Sequence, residues 1–223
     1  MLAQWAAKLE NPPMHSKAGT ALAFALFTSS CGSASGHELV SSVAKQMTSY
    51  SSSLTSARKQ VDAVLQALDG VQATAASDPR PSFASFVSGV RGLESGFDKL
   101  RDGSTSIQKG MKDYVDSWTH EITQMQNPDV RTQAEGRKKH ITDLFAGVTT
   151  SMDEGAKAAD GYLTHLTDVQ KLLNNDLNPV GIAKSKQLLA QLREQGAKLI
   201  ARQGEIAKQV DAFVKDFAPA TAK

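Results

Sequence analysis

The chain has 223 residues, of which 40% are hydrophobic and 22% charged, and its basic residues exceed its acidic ones by only two. Enough apolar material is present to bury a core, which argues against disorder, and the net charge is far from the concentrated basic footprint that nucleic-acid binding needs. Its one cysteine, Cys31, allows neither an intramolecular disulfide nor a cysteine-based zinc site.

The first element along the chain reads as an export signal. Lys17 precedes ten mainly apolar residues, 18–27, interrupted by Gly19 and Thr20, and small residues then lead into Cys31. That is the shape of a signal peptide, and it is far shorter than the ~20 apolar residues of a membrane-spanning helix. Met14 is an alternative start, because residues 1–13, with Trp5 and Glu10, make an odd extension to a basic leader.

The segment Phe27-Thr28-Ser29-Ser30-Cys31 resembles a bacterial lipobox, with Thr28 where leucine is usual. The resemblance implies removal of residues 1–30 and a mature protein that begins at an acylated Cys31. Ordinary cleavage after Ala34 or Gly36, giving a soluble periplasmic or secreted protein, is the alternative. Gly32 stands where an aspartate accompanies inner-membrane retention in such lipoproteins, so the resemblance implies outer-membrane anchoring with the body facing the periplasm. Residues 31–37 then read as a short flexible tether.

From residue 38 onward the apolar pattern is helical. Val43, Met47, Tyr50, Leu54, Ala57, Val61, Val64, Leu68, Val71 and Ala75 alternate in steps of four and three, which predicts a first helix over 38–76 with one buried stripe. Ser77-Asp78-Pro79-Arg80-Pro81 breaks it, because proline lacks a donor and pushes its predecessor out of the helical region.

The second helix runs to about residue 126 on a stripe that includes Phe83, Phe86, Val90, Leu93, Phe97, Leu100, Ser104, Ile107, Met111, Tyr114 and Trp118. Beside this stripe, Ser82, Gly89, Gly96, Gly103, Gly110 and Ser117 recur every seven residues, although each glycine disfavours a helix interior by roughly 1 kcal/mol. Two readings stand. The column lets a neighbouring backbone approach, or it merely softens an exposed face. A membrane GxxxG role fails, because Glu94, Asp98, Lys99, Arg101 and Asp102 are interleaved.

Asn127-Pro128 starts a third helix, with Asn as N-cap, Pro at the first helical position and Asp129 at the positive end of the dipole. Its stripe is Ile141, Leu144, Val148, Met152, Gly155, Ala159, Tyr162, Leu166, Val169 and Leu173, with one irregular step near Met152. Asn178-Pro179 repeats the cap and opens a fourth helix, striped by Ile182, Ser185, Leu189, Leu192, Gly196, Leu199, Gln203, Ile206, Val210, Phe213 and Phe217, with 218–223 as tail. Long helices joined by short connections predict an all-α fold, an elongated antiparallel four-helix bundle over 38–217.

Residues able to carry chemistry are scattered. His120, His140 and His165 lie on helices without the Glu-x-x-His pairs of a bundle metal site, so they read as surface or boundary residues, and no metal or cofactor is expected. Asp98, Asp102, Asp113 and Asp116 fall on outward faces as solvated charges. No nucleophile elbow, P-loop or dinucleotide fingerprint occurs, and no catalysis is expected. Arg137, Lys138 and Lys139, with Arg131, form the densest basic cluster, flanked by Glu135 and Asp143. Ser104, Ser185 and Gln203 interrupt the stripes, as register-fixing core polars or, around Ser104, as the lining of a ligand slot.

Trp118 with Glu121, Asn127, Val130-Arg131, Leu144-Phe145, Met152, Tyr162-Leu163, Leu166, Asp168, Leu172 and the run Asn175-Asp176-Leu177-Asn178 resemble an uncharacterised family of exported helical bacterial proteins, domain of unknown function 2959. The resemblance covers about residues 60–217 and implies export and an extended helical body, with no activity attached.

The resulting expectation is an exported protein held at the membrane through Cys31, with a structural or interaction role toward a protein partner in the cell envelope. A carrier of an apolar ligand in the helical interior is the alternative.

Overall fold

The computed structural model describes residues 36–217. The expected signal peptide, Cys31 and the tail 218–223 lie outside that range.

Five helices occupy 92% of the described residues and no strand occurs among them, so the fold class is all-α. They are α1 (Gly36–Ala73), α2 (Arg80–Thr123), α3 (Pro128–Asn175), α4 (Pro179–Lys184) and α5 (Lys186–Phe217). Gly36 and His37 belong to α1, so the helix begins inside the stretch expected to be tether.

The caps follow the side-chain chemistry expected of them. Asn127 Oδ1 accepts from the backbone N–H of Asp129 at 2.9 Å and of Val130 at 3.3 Å, and Asn178 Oδ1 accepts from Val180 and Gly181, both at 3.0 Å. Each satisfies donors that the first helical turn leaves unpaired. At the start of α2 the N-cap is Pro79, which has no capping side chain; Asp78 accepts from the Arg80 backbone at 3.2 Å and pairs with its guanidinium at 2.7 Å.

The fourth helical segment departs from a single rod at Ser185. There the side chain donates to the Gly181 carbonyl at 2.9 Å, and its own backbone lies between α4 and α5. Back-bonding of this kind bends a helix without ending it. The backbone bonds from Ser185 to Gly181 and from Leu189 to Ser185, each 3.0 Å, carry the ladder across.

α1 packs against α2 and α5, and α3 packs against the same two helices. Every pair runs antiparallel. On α1–α2, Gly110 faces Gln46 while Gly89 faces Val64; on α1–α5, Arg193 reaches Asp69 while Gly204 faces Arg58. On α2–α3, Arg101 reaches Asp160 while Thr119 reaches Lys138; on α3–α5, His165 meets Gln195 while His140 meets Asp216.

The predicted stripes form the core. Nine of the ten residues on the α1 stripe are buried, from Val43 to Val71, and all eleven on the last stripe, from Ile182 to Phe217, are buried as well. On α2, Phe86 to Leu100, Ile107 and Met111 are buried, whereas Phe83, Tyr114 and Trp118 are half-covered and pack against the core.

One stripe position is corrected. Leu144 is 39% exposed, and Phe145 packs against the core in its place, against Phe213 with ring centroids 5.8 Å apart. Taking Phe145 makes the α3 stripe Ile141, Phe145, Val148, Met152, Gly155, Ala159, a regular alternation of four and three. The irregular step near Met152 therefore came from placing Leu144 on the stripe, and α3 needs no local change of winding.

Candidate functional site

The stripe-breaking polars Ser104 and Gln203 meet at one interior cavity. It measures about 30 Å³ and is bordered by Tyr50, Phe97, Met152, Gly155, Ser104 and Gln203, among others, from α1, α2, α3 and α5. Ser104 Oγ contacts Met152 Sδ at 3.7 Å and accepts from Gln108 Nε2 at 3.3 Å. Gln203 is 2% exposed, and its Oε1 has no hydrogen-bond partner among the described residues. Burial, reinforced by the charge of Asp153, pushes the Tyr50 phenol up to about 12. Ser185 sits elsewhere, at the α4–α5 junction.

This arrangement holds polar groups without a reactive pair. A thioether and an amide neighbour the Ser104 hydroxyl, and neither takes its proton as a general base does. The cavity has room for about one water, against several hundred Å³ for a small-molecule pocket. Stripe interruptions flagged Ser104 and Gln203 in the sequence. Tyr50 and Met152 looked like ordinary core there, because nothing local says which helix they face.

The glycine column is a packing surface, and its neighbour is α1. A β-carbon placed on Gly89 would fall 2.9 Å from Val64 Cγ2, one on Gly103 3.1 Å from the Tyr50 ring, and one on Gly110 3.1 Å from Val43 Cγ2. Gly96 lies against Gln60, and at the column's start Ser82 meets Gly70. The buried Oε1 atoms of Gln46 and Gln60 point into this seam without hydrogen-bond partners among the described residues. Sequence reading missed both glutamines, because they fall one step off the apolar stripe.

Several of the other polar residues singled out in the sequence are on the surface and partnered. His140 Nε2 lies 3.1 Å from Asp216 Oδ2, and His165 Nδ1 lies 2.7 Å from Gln195 Oε1. Lys109 bridges to Asp113 at 3.1 Å, Lys112 to Asp116, and Arg101 to Asp98 at 3.0 Å. Members of the basic cluster diverge: Arg137 donates to the Asp216 carbonyl at 2.6 Å, Lys138 to Thr119 Oγ1 at 3.1 Å, and Lys139 bridges to Asp143 at 2.5 Å. Among the described residues no three His, Cys, Asp or Glu side chains converge as metal ligands.

The family described as "Protein of unknown function (DUF2959)" matches residues 29–217, most of the chain. No curated protein and no solved structure matches the chain.

Proposed function

We propose that this chain, which belongs to the DUF2959 family, is an exported, lipid-anchored module of the bacterial cell envelope that acts through structure and protein contact rather than catalysis. In this reading α1, α2, α3 and α5 form an antiparallel four-helix bundle, residues 1–30 are a removed signal, and Cys31 carries the lipid. The body faces the periplasm from the outer membrane.

The observation that carries it is the position of Cys31, four positions after the apolar run of residues 18–27 and five before α1 begins. None of the described helices is long and apolar enough to cross a membrane, so an attachment through acylated Cys31 suits the body that follows it. The tightly filled interior supports a structural role. Its cavity of about 30 Å³ leaves little space for the alternative of an apolar ligand carried inside.

The test is metabolic labelling with a palmitate analogue and membrane fractionation of the wild type beside Cys31→Ser. Labelled, membrane-bound wild type and an unlabelled, soluble variant are expected. A variant that fractionates like the wild type removes the anchor. Crosslinking and pulldown from envelope membranes then identifies the protein partner.

A further inference from the structure

We infer that the end of the helical body where α1 starts and α2 and α5 finish is a membrane-contacting face, with Trp118 and Tyr114 seated in the phospholipid headgroup region. The inference rests on the lipid-anchor reading and adds which surface meets the bilayer.

Aromatic side chains crowd this end. Tyr114 lies 5.4 Å from Trp118 and 5.2 Å edge-on from Phe217, whose ring stacks on Phe213 at 5.1 Å; Phe213 in turn meets Phe145. Tyr114 and Trp118 are only half-covered, and they border an open recess of about 360 Å³ shared with Gly36, His37, Val40, Glu121 and Phe217. An apolar ring bearing a polar N–H or O–H suits the boundary between hydrocarbon and water, where one part is dry and the other wet.

The length of chain beyond the described residues selects the occupant. Gly36 borders the recess, and four residues lie between it and Cys31, five steps of chain that span at most about 18 Å when fully extended. A lipid on Cys31 therefore keeps this end within that distance of the headgroups. The opposite end of α2, at Phe83, is about 50 Å further along the helix and falls outside the tether's reach. Several charges nearby are satisfied locally, with Arg137 on Asp216, Lys139 on Asp143 and Lys112 on Asp116, while Glu121, which also borders the recess and accepts from Ser117 Oγ at 3.5 Å, has to stay on the aqueous side of the headgroups.

The test uses tryptophan as a depth reporter. The sequence has two tryptophans, so Trp5→Phe leaves Trp118 as the sole one. The full chain carrying that change is expressed, processed and acylated, then reconstituted into phosphatidylethanolamine and phosphatidylglycerol vesicles with or without brominated acyl chains. A second protein, W5F/W118F/F83W, moves the reporter to the far end, and circular dichroism checks that both remain helical.

The expected result is flotation of both proteins with the vesicles, blue-shifted and bromine-quenched emission from Trp118, and unquenched emission from position 83. Flotation with equal or absent quenching at the two positions overturns this face while leaving the anchor intact. A protein that does not float removes the anchor and the face together. A blue shift of Trp118 that needs no vesicles and grows with protein concentration assigns the recess to a second copy of the chain and overturns the membrane assignment.

Discussion

The α1–α2 and α3–α5 pairs use glycine in opposite ways. On α2 the glycines form a column, and α1 lays Val64, Gln60, Tyr50 and Gln46 along its length. Between α3 and α5 they are isolated sockets: Gly155 receives Ile206, and Gly196 receives the Tyr162 hydroxyl. Beside the Gly196 socket the α3–α5 surface opens into a groove of about 350 Å³, and beyond the Gly155 socket into one of about 540 Å³ bordered by the exposed Leu144. A repeated small residue lets two helices approach all along their lengths, whereas a lone one admits a single large side chain and leaves the flanking surface apart.

The comparison breaks most visibly if the column is filled. Gly103→Leu forces a side chain into the Tyr50 ring, and overpacking of this kind costs about 2–3 kcal/mol, read as a lower urea midpoint. Gly147→Leu on the groove side, where a β-carbon meets nothing within 4 Å, should lose nothing and gain up to about 1 kcal/mol, because a good helix former replaces glycine in open space. Equal losses at the two positions would mean that the column is not a tighter interface.

Tyr50 reports on the same seam through pH. Its phenol is raised from 10.0 to about 12, so between those values the unfolded chain has released a proton that the folded chain still holds. Stability is then complete below pH 10 and falls as pH rises to about 12, by on the order of 2 kcal/mol. Burial raises the Tyr162 phenol in the same direction, so urea melts of Tyr50→Phe should keep a reduced alkaline loss rather than none.

Alanine at one glycine from each pair sharpens the contrast. At Gly89 the added carbon meets Val64 Cγ2, held stiffly by branching, and a loss of about 1 kcal/mol is expected. At Gly155 the neighbour is Ile206 Cδ1, the free end of a longer side chain that can rotate away, and the loss should be smaller. Thermal melts of the two variants side by side settle the order.

A glycine of α2 itself should also gain from replacement. Gly92 lies on α2 but off the column, and a β-carbon added there meets nothing within 4 Å, so Gly92→Ala should stabilise by up to about 1 kcal/mol. A loss there would show that the whole helix, and not one face of it, demands glycine.

Most of the secondary structure was readable from the order of residues. The stripe from Val43 to Val71 and the cap pairs Asn127-Pro128 and Asn178-Pro179 depend on residues within a turn or two of one another, and all appear as read. Leu144 and Phe145 show where such reading stops. Both neighbour the stripe, and the ring of Phe213 on α5, nearly seventy positions away, selects Phe145. Likewise Ser104 and Gln203 stood out as polar interruptions, while their shared cavity with Tyr50 was invisible because three separate helices supply those groups.

Sequence alone determined that the body is helical, where most of its helices start and which side of each is apolar, because propensity, capping and a repeat of three and four are local properties. Tertiary structure alone decided that the glycine column belongs to α1, that Leu144 faces outward and that two distant polar residues share one void. A repeat fixes the direction in which a side chain leaves its own helix, whereas what it meets depends on the shape of another surface brought against it from far along the chain.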